Sequence, residues 1–115
     1  MPEHSFPTLD LERINELRTY YPSQMAFSDT MDEFLEDADV RLAQMRRALS
    51  TNRLEVIQEH AHALKGSSEF VGAQQLAWFC QTIQKEAGQT DESTIQALEV
   101  ELQRFKNRFA HVIKG

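Results

Sequence analysis

Phe27 to Leu49 reads FSDTMDEFLEDADVRLAQMRRAL. Met31, Leu35, Ala38, Leu42, Met45 and Leu49 recur at spacings of three and four, with Phe27 and Phe34 beside them. Asp32, Glu33, Glu36, Asp37, Asp39, Arg41, Arg46 and Arg47 fill the gaps. A helix turns once in about 3.6 residues, so this spacing collects the apolar side chains on one face and the charges on the other. The stretch predicts a long amphipathic helix, and the same period continues on both sides of it. Leu54, Ile57, Ala61, Leu64, Ser68 and Val71 repeat it, as do Leu76, Phe79, Cys80, Ile83 and Ala87, then Ile95, Leu98, Leu102, Phe105, Phe109 and Val112. A shorter run with Leu11, Ile14, Leu17 and Tyr21 ends before Pro22. All three prolines (Pro2, Pro7, Pro22) come early, so nothing after Ser23 interrupts a helical hydrogen-bond ladder.

Punctuation sets the boundaries. Asn52 with Glu55 three residues later reads as a capped start after the Ser50–Thr51 break. Gly72 separates two helices, Gly88 reads as a C-terminal stop, and Thr90, Asp91 and Glu92 open the last helix. Short connections make consecutive helices antiparallel neighbours. The expectation is an all-α, antiparallel up-down four-helix bundle over about residues 24–49, 53–70, 73–87 and 91–113, with a short additional N-terminal helix packed on one end. At 115 residues the chain reads as a single domain over 1–115, with a loose end at 1–8.

Composition excludes several functions. Eighteen acidic against twelve basic residues give a net charge of −6, and the cations are scattered, which disfavours a nucleic-acid partner. No run approaches the roughly 20 apolar residues of a membrane span, and the N-terminus lacks a signal-peptide pattern. A cytoplasmic protein without membrane insertion is expected. Cys80, alone, can form neither an internal disulfide nor a cysteine-based metal site, and its place on an apolar stripe reads as a packed thiol. Trp78 reads as packed against the N-terminal helix. There is no HExxH and no Gly-rich phosphate loop, so neither a metal site nor autonomous use of ATP is expected.

Two histidines sit close together in Glu59-His60-Ala61-His62. At about 100° per residue, His60 lies roughly 70° from the centre of the apolar stripe and His62 roughly 130° away. His60 is a boundary residue with a structural reading, and His62 faces solvent. They point about 200° apart, so they cannot chelate one metal. Beside His62 stand Lys65 at i+3 and Gly66 at i+4. Glycine inside a helix costs about 1 kcal/mol relative to alanine, and nothing in the pattern asks for it. The bland alternative is a helix-breaking glycine with a solvated lysine. An exposed imidazole, an adjacent ammonium and a bare stretch of backbone suit a histidine that accepts a phosphoryl group.

The run His62-Ala63-Leu64-Lys65-Gly66-Ser67-Ser68, followed by Gly72-Ala73, Leu76, Ala77-Trp78, Phe79-Cys80 and Ile83-Gln84, resembles the signature of histidine-containing phosphotransfer (HPt) domains. The resemblance implies a phosphoryl carrier in a multistep two-component phosphorelay. Its His62 would accept phosphate from the aspartate of one receiver domain and pass it to another. It further implies that Lys65 neutralises the phosphate, that Gly66 leaves room for a partner's loops and that Gln84 hydrogen-bonds near the imidazole. Ser67 and Ser68 would help pack the helix and orient the histidine, and Gly72 would shape the following turn. The carrier would have no kinase activity and no cofactor of its own, Mg²⁺ being bound by the partner receiver. Expected partners are response-regulator receiver domains and a hybrid sensor histidine kinase, met by a monomer, and Met1 with a complete first helix favours a free-standing chain.

Docking should also need an apolar patch around His62, for which Ala63, Phe34, Met31 and Phe27 are candidates, with a core role for the aromatics weighed equally. An alternative for the whole chain is a helical interaction bundle that docks receiver or kinase partners without being phosphorylated. A metal- or haem-binding bundle is a third.

Overall fold

The computed structural model describes residues 6–114. It contains α1 (Leu11–Arg18), α2 (Gln24–Ser50), α3 (Leu54–Val71), α4 (Gln74–Lys85) and α5 (Glu92–Lys114), with a single 3-10 turn at Ala87–Gln89 before the last helix. α3 packs between α2 and α4, α5 closes the ring against α2 and α4, and α1 lies across α2 and α3. This is the all-α bundle that the periodicity predicts.

Side-chain caps start three of the helices. The Arg13 N–H donates to Asp10 Oδ1 at 3.2 Å, the Ala26 N–H to Ser23 Oγ at 3.0 Å, and the Thr94 N–H to Asp91 Oδ1 at 3.0 Å. The Ser93 hydroxyl and the Thr94 backbone and hydroxyl hold the Asp91 carboxyl below the usual carboxylate range.

Asn52 does not cap α3. It sits at φ 57°, in the left-handed region, where it ends α2. Its N–H donates to Leu49 O at 3.2 Å and the Arg53 N–H reaches back to Ala48 O at 2.8 Å, the paired bonds of a Schellman closure. Asparagine is among the few side chains that tolerate this conformation. Gly88 is not the stop of α4 either. The helix ends at Lys85, and Gly88 lies inside the 3-10 turn that follows, next to the buried Ala87.

Gly72 ends α3 at φ 83° with the same pattern, its N–H on Glu69 O and the Ala73 N–H on Ser68 O. A Cβ here would also come within 3.2 Å of Arg13 Cβ and Cγ and of Asp10 O. Gly72→Ala therefore combines left-handed strain with a contact against α1. Urea denaturation should show a loss of about 1–2 kcal/mol, and an unchanged midpoint would mean that α1 shifts freely.

The loose end expected over residues 1–8 is corrected where the structure describes it. Residues 1–5 lie outside the described residues. Residues 6–8 are not loose, because Pro7 O accepts the Gln75 N–H at 3.0 Å. Two further bonds follow it along the chain, from the Asp10 N–H to Gly72 O at 2.8 Å and from Gln74 Nε2 to Asp10 Oδ2 at 2.7 Å. The segment is a strap drawn over the α3–α4 turn.

The core is built from the predicted stripes. Phe27, Met31, Ala38, Leu42 and Met45 of α2 meet Ile57, Ala61 and Leu64 of α3, Leu76 and Cys80 of α4, and Ile95, Leu98 and Phe105 of α5, all nearly inaccessible. Phe105 stacks on Phe109 with centroids 6.2 Å apart, and Phe34 meets Phe105 edge-on at 5.7 Å. Burial pushes the Cys80 thiol up to about 12, which leaves it protonated and inert.

Glu101 is the exception, a carboxylic acid only 1% exposed on α5, with Arg104 Nη1 3.6 Å from Oε1. Burial raises its carboxyl above the ordinary range, outweighing the pull of the Thr8 hydroxyl and of Arg104 and Arg108. A carboxyl raised on folding contributes its full stability below the unfolded value of 4.5 and loses it as pH rises through the folded value. Glu101→Gln removes the charge and keeps the shape. Its stability should differ least from that of the native chain near about pH 4 and exceed it increasingly toward pH 7. A pH-independent difference in denaturation midpoint would contradict this account.

Candidate functional site

The inward face of α3 is fixed by Ile57, Ala61, Leu64 and Ser68, each nearly inaccessible. One residue past Ala61 the helix has turned about 100°, and His62 is exposed on the side toward α4. Gln84 Nε2 lies 3.0 Å from His62 Nδ1. Gln84 is itself anchored, since its main-chain oxygen accepts Gln58 Nε2 at 3.2 Å, a second tie between α3 and α4. Among the described residues no hydrogen bond engages His62 Nε2.

The tether bears on the chemistry of the ring. With the amide nitrogen toward the ring, Nδ1 accepts and the neutral imidazole carries its proton on Nε2. Turning the amide over places its oxygen there, so that Nδ1–H donates and Nε2 presents a lone pair outward. The second arrangement is the nucleophilic one, and both suit the same side-chain position.

His60 lies on the other flank, half-buried, with Nδ1 3.2 Å from Arg41 Nη1. Arg41 in turn binds Asp37 at 2.8 Å. A guanidinium only donates, so His60 Nδ1 is held as an acceptor. The two histidines thus face different helices, as the helical geometry predicts.

Lys65 is one turn from His62, with Nζ 3.9 Å from Glu69 Oε2, a loose pairing that leaves the ammonium available to an incoming anion. Gly66 is exposed, and a Cβ built on it would meet nothing within 4 Å. Packing inside the chain therefore does not explain the glycine. Ser67 Oγ donates to Ala63 O and Leu64 O at 3.3 and 3.2 Å, and Ser68 is wholly buried in the core. Neither hydroxyl reaches His62, so their expected part in orienting the ring is corrected, and only packing remains. Gly72 is ten residues along from His62, at the α3–α4 turn.

The expected docking patch is corrected too. Met31 and Phe27 are 1% exposed and Phe34 6%. They close the α2–α5 side of the core and cannot be touched from outside. Ala63, half-buried beside His62, is the one member of that set near the surface. Trp78 does not pack on α1. It sets edge-on against Phe79 at 5.4 Å and stands beside Phe6 of the strap. Among the described residues no cluster of three or more His, Cys, Asp and Glu side chains is placed to hold a metal, and no helix is long and apolar enough to cross a membrane.

The family model for the Hpt domain matches residues 29–115. The chain belongs to that family. Over 53 residues the chain is also 40% identical to the phosphorelay intermediate protein YPD1 of Saccharomyces cerevisiae. That alignment takes in 45% of this chain and 32% of the yeast protein, so it spans about a third of the relative's length. The crystal structure of Ypd1p superimposes with a TM-score of 0.62 at 30% identity, over 70% of this chain and 52% of that one. The histidine-containing phosphotransfer protein HptB of Pseudomonas aeruginosa PAO1 superimposes more fully. Its TM-score is 0.85 over 96% of this chain and 97% of that one, and at 24% identity the likeness speaks for the fold. Membership of the Hpt family supports a phosphocarrier role in a phosphorelay.

Proposed function

We propose that this Hpt domain carries a phosphoryl group on His62 Nε2 between receiver domains of a multistep phosphorelay. The observation that carries the reading is the exposed imidazole, tethered at one ring nitrogen to Gln84 and free of hydrogen bonds from described residues at the other. The Nε2 lone pair attacks the phosphorus of a receiver's aspartyl phosphate. A P–N bond forms as the P–O bond breaks, and the aspartate carboxylate leaves with the electron pair. Transfer to a second receiver reverses these steps. Such transfer depends mainly on in-line placement and charge neutralisation. The Hpt domain supplies a rigid nucleophile, Lys65 as a counter-charge and the bare backbone at Gly66. The receiver supplies the acidic pocket and its Mg²⁺, and the Hpt domain needs no cofactor or kinase activity of its own.

The partners on this reading are receiver domains of response regulators and of a hybrid sensor kinase, met by a monomer in the cytoplasm. The test is incubation with a phosphorylated receiver, which should leave an acid-labile, base-stable label on the Hpt domain. Binding without label would mark an interaction bundle instead. Lys65→Ala should slow transfer about tenfold, the effect of one partly screened charge on a phosphoryl group, while the melting temperature barely moves. A wild-type rate would remove the lysine from the mechanism.

A further inference from the structure

The α3–α4 side of the bundle carries a slot further along from His62. Glu69 lies two turns along α3 from His62, and Gln81 lies one turn back along α4 from Gln84. With Gln74, Ala77, Trp78 and Phe6 they line an open slot of about 140 Å³. Its two large walls are aromatic. Trp78 is half-buried and braced by Phe79, and Phe6 is 44% exposed. Phe6 does not belong to the bundle. The strap delivers it, pinned by the bonds from Gln75 N–H to Pro7 O and from Asp10 N–H to Gly72 O. Phe6 also lies outside residues 29–115, the part that the family model matches.

The distance from the imidazole is the deciding quantity. Seven residues of helix rise about 10 Å. A partner seated over His62 covers about 800 Å² in an interface of standard size, a disc of radius about 16 Å. The slot falls inside that footprint. Aromatic-walled pockets with a polar rim are where interfaces concentrate their affinity, and a volume near 150 Å³ is enough for a benzene-sized group. Phe27, Met31 and Phe34 are sealed in the core, so these three residues cannot supply the apolar anchor of the docking face.

We propose that this slot receives an apolar side chain of the receiver domain docked on His62, gripped between Phe6 and Trp78, and that it sets which receivers bind well. The inference rests on the carrier reading of His62. It makes the strap, which the family match omits, a determinant of partner choice.

The experiment uses the full chain and a receiver domain found to exchange phosphate with it in a pairwise screen of the source organism's receivers. Transfer is followed at rising receiver concentration, and His62 is labelled separately with phosphoramidate, a donor too small to need docking. For Phe6→Ala and Trp78→Ala the half-saturating receiver concentration should rise about tenfold, while the saturated rate and phosphoramidate labelling stay at the native level. Native half-saturation in Phe6→Ala overturns the slot, and that exposed position decides the matter if Trp78→Ala unfolds. Tighter receiver binding on removal of residues 1–5 would assign the slot to the chain's own N-terminus. A dimer abolished by Phe6→Ala would assign it to a second copy, and either result overturns the proposal. A native chain that no donor labels would instead overturn the carrier reading beneath it.

Discussion

His62→Gln should reduce phosphoryl labelling to background, whether the donor is a phosphorylated receiver or phosphoramidate, while His60→Gln keeps most of it. Glutamine retains polarity and helical fit but has no nucleophilic ring nitrogen. His62 is exposed and makes one side-chain hydrogen bond, to Gln84. Its replacement should change stability by no more than about 0.5 kcal/mol, so loss of label cannot be blamed on unfolding. His60 is different: half-buried, with Nδ1 held by Arg41 Nη1 at 3.2 Å, and turned toward α2. A donor docked on the α3–α4 face cannot reach it. The label itself is diagnostic, because a phosphoryl–nitrogen bond breaks in acid and survives base. Label retained by His62→Gln and lost in His60→Gln would reverse the assignment of the two rings.

The positions of the helices were legible because each stripe is long. α2 alone repeats its apolar spacing from Phe27 to Leu49; Phe27, Met31, Phe34, Ala38, Leu42 and Met45 of that stripe are buried, while Leu35 and Leu49 pack partly buried at its edge. Ends were harder, since the residues that mark them have two uses. Asn52 suits an N-cap and a left-handed C-terminal position equally well. The choice fell to the second because the Arg53 N–H closes onto Ala48 O, at the end of α2. Gly88 marks a break but not its kind, because the buried Ala87 beside it draws the chain into a tighter turn.

At the site, helical angle alone separated His62 from His60. Gln84 came into view only through the family pattern, because a contact across 22 residues leaves no trace in the period of either helix. The same limit explains the misplaced docking patch. Periodicity shows that Met31 and Phe34 lie on the apolar stripe but not how far the neighbouring helices cover it. α5 covers it fully, with Phe105 edge-on to Phe34. The slot beside Trp78 was invisible for a further reason. One of its walls, Phe6, precedes the first helix, and the strap bonds that place it involve backbone groups.

The sharpest separation of stability from function should come at Gly66. In Gly66→Leu, helix propensity predicts a gain of about 0.5–1 kcal/mol, since glycine is among the poorest residues in a helix interior. The structure offers no opposing clash, because the first added carbon meets nothing within 4 Å and the position is exposed. Transfer with a receiver should nonetheless fall on the order of 100-fold, the penalty for holding reacting groups about 1 Å out of place. Phosphoramidate labelling of His62 should change little, and Gly66→Ala should fall between the two. More stable yet slower is a combination that ordinary damage to a fold does not produce. It follows only if the glycine answers to the partner rather than to the helix. A Leu variant that transfers at the native rate would return Gly66 to an accident of the helix. One that loses stability would show that α3 itself requires it.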